Sequence, residues 1–267
     1  GTMTKPLHAG RAAQSGVIAA RLADRGFTAS PDALEHRTGY LSALSPSGKP
    51  SLEERDHQLG RVWRMEALGV NIKRYPVCYS THRAIDAILD VVERRDLKPG
   101  DVREIRVGAG APELLMLRNH QPKTGLEAKF SMEFAMASAL VARSVGLAEL
   151  SDEFVRRQDV IDAMAKVTST AIHDSIAGMP DSEPDTVEVE LVSGEVLHTD
   201  PVKFARGGWQ NPLSPADLKQ KFMDCVGGAL SGRPADAMFA RLAGMRQAAN
   251  LRDLDLTTPV TADRRSA

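Results

Sequence analysis

The sequence predicts an α+β protein, with a mainly helical domain built from both ends of the chain and an α+β domain between them. Three observations carry this. Helical periodicity dominates the first part of the chain. Apolar and polar residues alternate in the strand manner only between residues 102 and 202. Helical signals then return from Ser214 onward. Helices, a mixed stretch and helices again fit a two-part molecule whose first and last segments belong together.

The elements follow in order. Residues 9–25 are Ala-rich, with Val17, Ile18 and Leu22, and predict a helix whose small side chains pack closely on neighbours, closed by Gly26. Residues 45–56, SPSGKPSLEERD, read as a loop leading into a short polar helix, and a boundary is expected between about 45 and 72. After Thr81, residues Ile85, Ile88, Leu89 and Val92 repeat at helical spacing, with Ser80 or Thr81 as the cap. VREIRVGAG alternates at Ile105 and Val107 and reads as a strand.

A helix over about 127–145 places Phe130, Phe134, Ala137 and Val141 on one face. Short helices are expected after Ser151 and over DVIDAMAKV. In TVEVELVSGEVLHTDPV, Val187, Val189 and Leu191 alternate with acidic residues, and Ser193-Gly194 predicts a two-residue hairpin turn. Ser214, Pro215 and Asp217 then form a helix-start signature, and residues 214–249 read as helical. The last fifteen or so residues read as frayed. The expected domains are 1–68, 69–208 and 209–267.

Composition narrows the function. The chain has 34 basic and 35 acidic residues, and this balance argues against a nucleic-acid or membrane-surface binder. Its 267 residues suffice for a sizeable core. Cys78 and Cys225 do not form a disulfide framework, and a cytoplasmic setting is the simpler expectation. No apolar run approaches the roughly 18 residues of a membrane span.

The densest chemistry lies in KRYPVCYSTH, residues 73–82. His82 opens a helix, where the positive end of the macrodipole favours neutral imidazole, a proton acceptor. Asp86, one turn on, is placed to orient it. Cys78 precedes the same helix, where the dipole and Lys73 favour its thiolate. Lys73 suits a substrate carboxylate. Together these types fit proton abstraction next to a carboxylate. A structural reading stays open beside this one: His82 as a packing residue, Cys78 as a small buried side chain, Lys73 as a solvated charge. Lys5 and His8, three residues apart, form a second candidate pair on one helical face.

Metal binding is not expected, because His36, His57, His120, His173 and His198 lack ligand spacing. GAGAPE, residues 108–113, departs from the GxGxxG pattern and precedes no convincing helix start, so no nucleotide site is expected there. GxSxG is absent.

Four stretches in order resemble one known family. GTMTKPLHAGRAAQSGVIAARLADRGFTA, KRYPVCYSTHRAIDAI, KFSMEFAMASAL and NPLSPADLKQKF are similar to the MmgE/PrpD family, from residue 1 to about residue 230. That family includes 2-methylcitrate dehydratase, cis-aconitate decarboxylase and iminodisuccinate epimerase. The resemblance implies a helical domain plus an α+β lid, a homodimer, a site between the domains, and chemistry without metal or organic cofactor on small di- or tricarboxylates. It implies catalytic roles for His8, Cys78 and His82, and substrate binding by Lys5, Lys73 and Ser131. The expected activity is a cofactor-independent lyase that eliminates water, as 2-methylcitrate dehydratase does, with epimerisation or decarboxylation as the alternative. Cys78 stands where decarboxylase-like members carry histidine, and Phe134 where they often carry tyrosine. The opening Gly-Thr-Met matches the family's own sequence before the lysine, so a longer N-terminal portion of the same protein is an expected partner. A non-catalytic dimerising or ligand-binding remnant is the reading from another class.

Overall fold

The computed structural model describes residues 2–47, 60–179, 181–227 and 233–250. Most of the expected loop and short polar helix at 45–56, and the expected frayed end, lie outside these residues. The chain separates into two compact units, Thr2–Gly69 and Val70–Ala267.

In the N-terminal unit, α1 spans Thr4–Asp24. It ends on the expected Gly26: Gly26 N–H donates to the Ala23 carbonyl and Phe27 N–H to the Leu22 carbonyl, which satisfies the last turn. Close packing of this helix was expected from its alanines, yet α1 buries none of its residues. Short helices α2 (Tyr40–Leu44) and α3 (Arg64–Ala67) complete the unit.

The C-terminal unit begins its core with α4, His82–Arg95. Ala84, Ile85, Ala87, Ile88, Leu89, Val91 and Val92 are buried, while Asp90 and the Glu93–Arg95 end face solvent. Neither Ser80 nor Thr81 caps it. The helix instead grows out of a 3-10 turn, Tyr79–Thr81, and the Thr81 hydroxyl donates to the Cys78 carbonyl at 2.8 Å. Strand β1, Val102–Gly110, runs directly into α5, Ala111–Met116. A helix therefore does start at GAGAPE, with Pro112 in its first turn, where a missing N–H costs nothing.

The expected single helix over 127–145 is two. α6 covers Gly125–Ala128 and α7 covers Met132–Ala142. Ser131 interrupts them: its backbone is extended and its hydroxyl accepts from Phe134 N–H at 3.0 Å. α7 is buried on every side from Met132 to Leu140, as its apolar composition requires. Then come α8 (Asp152–Val155, capped by Ser151), α9 (Gln158–Met164) and β2 (Val167–His173). β3 (Thr186–Leu191) and β4 (Val196–His198) form the hairpin. Its connection has three residues rather than two. Gly194, at φ 90°, follows a turn closed by Gly194 N–H to the Leu191 carbonyl, so the loop is Val192–Gly194. α10 (Pro215–Val226) starts as expected, with the Ser214 hydroxyl accepting from Asp217 N–H. α11 covers Arg233–Ala243.

The sheet order is β2-β1-β3-β4. β1 is parallel to β2 and antiparallel to β3, and the α5–α9 segment makes the crossover between the parallel strands. Ile105, Val107, Val187 and Val189 join α4 and α7 in one apolar core. On the opposite face Arg106 is ringed by Glu104, Glu188 and Glu190 at 2.8–3.1 Å, which leaves that face to water. This is an α+β architecture with helices on one side of a mixed sheet. Among the described residues no helix is long and apolar enough to cross a membrane.

Candidate functional site

The turn carrying residues 73–82 is held from several directions. Gly207, at φ 90°, lets its chain approach the turn's entry: Ile72 N–H donates to the Gly207 carbonyl, and a side chain at 207 would lie 2.0 Å from the Ile72 oxygen. The exposed Lys73 folds back, its Nζ donating to the Val77 carbonyl at 2.9 Å. Arg74 pairs with Asp217 at the start of α10. Cys78 N–H donates to the Lys129 carbonyl at 2.8 Å, which places the thiol beside the α6–α7 junction. The Cys78 thiol is partly buried and lies 3.6 Å from the Ser80 hydroxyl.

His82 differs from expectation. It is fully buried, with its ring 5.1 Å from Tyr75 in an edge arrangement and 5.0 Å from Tyr79. Among the described residues neither ring nitrogen has a hydrogen-bond partner. Burial, aided by the charge of Lys73, pushes its pKa down to about 3; the nearby Val77 and Tyr75 carbonyls oppose this only weakly. His82 is therefore neutral, as the helix-start argument expects, but as a packed aromatic ring without access to a substrate. Asp86 does not orient it. Its carboxylate accepts from the Tyr75 hydroxyl at 2.7 Å and from Arg206 N–H at 2.7 Å. Burial raises the Asp86 pKa, and the Arg206 and Tyr75 hydrogen bonds hold that rise in check.

The buried His82 gives a first prediction. Its folded-state value lies below the ordinary 6.5, so stability present above that pH is lost as pH falls toward 3. His82→Phe, which keeps a ring between the tyrosines, should remove this loss. Unfolding free energies from urea titrations between pH 7 and 4 should fall less steeply in the variant, by up to about 1.4 kcal/mol per pH unit. Parallel slopes would contradict the burial of a neutral imidazole.

The other expected residues fall as follows. Lys5 and His8 lie on α1 in the N-terminal unit, one turn apart and exposed. Ser131 is buried, its hydroxyl capping α7 and donating to Glu133 Oε2 at 3.2 Å. Lys73, Cys78 and His82 thus share one turn, and Ser131 sits two residues beyond the Lys129 carbonyl that Cys78 binds. A cleft of about 430 Å³ opens nearby, lined by Arg74, Tyr75, Arg206 and Lys221, but neither Lys73 nor Cys78 lines it. Among the described residues no three His, Cys, Asp or Glu side chains gather as a metal site.

Sequence reasoning missed a second polar centre one residue further on. Arg83 is buried and donates through Nη2 to Asp185 at 2.6 Å and to Glu113 at 3.0 Å, and through Nη1 to the Glu183 carbonyl at 2.7 Å. His173 Nε2 lies 3.4 Å from the same Asp185 oxygen. The only sequence sign was a glutamate directly after the GAGAP strand end.

Comparison with known proteins places these features. Residues 75–241 match the MmgE/PrpD C-terminal domain, and residues 1–53 match the MmgE/PrpD N-terminal domain. Cis-aconitate decarboxylase of Mus musculus is 27% identical over 234 residues, covering 83% of this chain and 45% of the relative. The Homo sapiens cis-aconitate decarboxylase is 28% identical over 234 residues, covering 83% and 46%. The chain therefore spans about half the length of the curated relatives it matches. With the C-terminal domain matched across α4, the sheet and α10, and the N-terminal domain matched over residues 1–53, this chain belongs to the MmgE/PrpD family.

Proposed function

We propose that the protein carrying this chain is a cofactor-independent lyase acting on a small di- or tricarboxylate. A base removes the proton from the carbon next to a carboxylate. The electron pair forms the new double bond as hydroxide leaves the neighbouring carbon, and an acid protonates that hydroxide to water. This is elimination of the 2-methylcitrate dehydratase type. The observation that carries the reading is a cation and a thiol on one tightly held turn, Lys73 just ahead of the matched C-terminal domain and Cys78 inside it. Lys73 supplies positive charge for the substrate carboxylate, which becomes more electron-rich as the proton departs. Cys78, partly exposed beside it, is the proton acceptor in place of the buried His82. Lys5 and His8 supply the second carboxylate contact and the second acid or base, as the family resemblance implies. Ser131 acts through its cap on α7, which sets the junction that Cys78 binds.

Decarboxylation is the second reading, because both curated relatives are cis-aconitate decarboxylases. Cys78 and Phe134 set this chain apart from that pattern.

The test uses the complete protein with 2-methylcitrate, cis-aconitate and iminodisuccinate in turn, followed by ultraviolet absorbance and carbon dioxide release. Lys73→Ala should lower turnover of the accepted substrate by on the order of 10²–10³ while leaving the unfolding midpoint in place. Unchanged turnover would remove Lys73 from the chemistry. Absence of turnover with all three compounds would favour a dimerising or ligand-binding role instead.

A further inference from the structure

The Arg83 centre ties together two stretches of chain, residues 174–179 and 181–185. In the first, Ala177 N–H donates to Glu113 Oε1. In the second, the Glu183 carbonyl accepts from Arg83 and Asp185 binds it through Oδ1. The two stretches are also tied to each other: Glu183 N–H donates to the Ser175 hydroxyl at 2.7 Å. The same hydroxyl lies 3.0 Å from His173 Nδ1. The other ring nitrogen, Nε2, faces Asp185. One set of hydrogen bonds joins the Glu183 amide to Ser175 and His173, and a second joins Asp185, Arg83, Glu113 and the Ala177 amide; between them His173 Nε2 lies 3.4 Å from Asp185, without a hydrogen-bond partner among the described residues.

The first stretch also rests on the turn of the candidate site. A side chain at Gly178, whose φ is 85°, would come within 3.1 Å of the Tyr79 ring. Tyr79 follows Cys78 directly and packs on His82. Holding the two stretches together therefore holds Tyr79, and with it the backbone at Cys78.

We propose that the Arg83–Glu113–Asp185–His173 cluster is a proton-loaded clasp that holds residues 175–178 and 183–185 together against Tyr79 and fixes the Cys78 turn. The inference rests on the fold and stands whatever reaction Cys78 serves. Charge balance gives the clasp its pH response. Asp185 faces Arg83 from α4, Glu113 from α5 and His173 from β2, and Tyr79 lies close enough to feel both Arg83 and Glu113. One guanidinium cannot neutralise two buried carboxylates, and Asp185 Oδ2, Arg83 Nε and Ser182 Oγ are buried without partners among the described residues. One extra proton makes the cluster neutral. Burial, opposed by Arg83 and reinforced by Glu113, pushes Asp185 up to about 7. A carboxyl raised in the clasped state favours that state most at low pH, and the advantage is lost as pH rises through 7.

The experiment is amide hydrogen exchange of the folded protein from pH 5 to 8, expressed as protection relative to an unstructured peptide. Protection at Ala177 and Glu183 should fall as pH rises from 5 to 7, by at most about tenfold per unit, and level off above 7. Asp185→Asn should flatten this profile. Constant protection across the range, or an unaltered profile in Asp185→Asn, overturns the proposal. A second variant leaves every charge in place. Gly178→Ala should raise the rate at which Cys78 reacts with a disulfide reagent, measured against the exposed Cys225 as internal reference, by several-fold. Cys78 labelling at the parental rate would refute the link between the clasp and the turn.

Discussion

Replacing Arg83 by methionine should lower stability by about 3–5 kcal/mol at pH 7, because it leaves Glu113 and Asp185 buried with no cation between them. Arg83, Glu113 and Asp185 are each no more than 1% exposed, so solvent cannot take over the lost contacts. The Glu183 carbonyl loses its donor as well. Chemical denaturation at pH 7 measures the cost. The same comparison at pH 5 should give a smaller one, since a protonated Asp185 no longer needs the guanidinium charge. Adding Glu113→Gln and Asp185→Asn to Arg83→Met should recover part of the loss, as neutral amides tolerate burial better than unpaired carboxylates. A loss below about 1 kcal/mol for Arg83→Met alone would mean that the cluster opens to water.

Beyond the glutamate after the β1 end, the local sequence does not announce this cluster. Arg83 meets Glu113 from 30 residues away and Asp185 from 102, so its burial depends on how strands and helices assemble. By contrast, α4 and the cap at Ser214 were readable because their signals lie within a turn or two of the residues concerned. The α6–α7 break shows two local signals in conflict. Helical periodicity runs through Phe130, Phe134, Ala137 and Val141, while Ser131 offers a side-chain acceptor for Phe134 N–H. The cap prevailed because it satisfies a buried amide, and periodicity alone cannot place the end of a helix.

Lys73 and Cys78 stand out as residue types beside a helix start, and the fold keeps them on one turn. The roles of His82 and Asp86 were misjudged because spacing on a helix reports which residues are neighbours, not which of them the core covers. Asp86 lies one turn from His82, but Tyr75 and Arg206 reach it first.

Phe134 extends the same point to a position where decarboxylase-like members of the family often carry tyrosine. Its ring is fully buried on α7 and meets Phe154 edge-on at 6.3 Å. Phe134→Ala should cost about 3–5 kcal/mol, from lost burial and from a cavity that an all-round buried helix cannot collapse to fill. Phe134→Tyr discriminates more finely. A hydroxyl added to this ring without a partner should cost about 1–3 kcal/mol. Both are read from urea midpoints with unchanged transition slopes, which confirms that stability and not compactness has changed. If tyrosine is neutral while alanine is costly, the ring edge faces a polar space into which a hydroxyl can reach. Packing would then not exclude the tyrosine of the decarboxylase pattern at this position, and Cys78 would remain the other departure from it. If both are costly in the expected order, phenylalanine here belongs to the core, and the proton donor of the reaction must come from another residue.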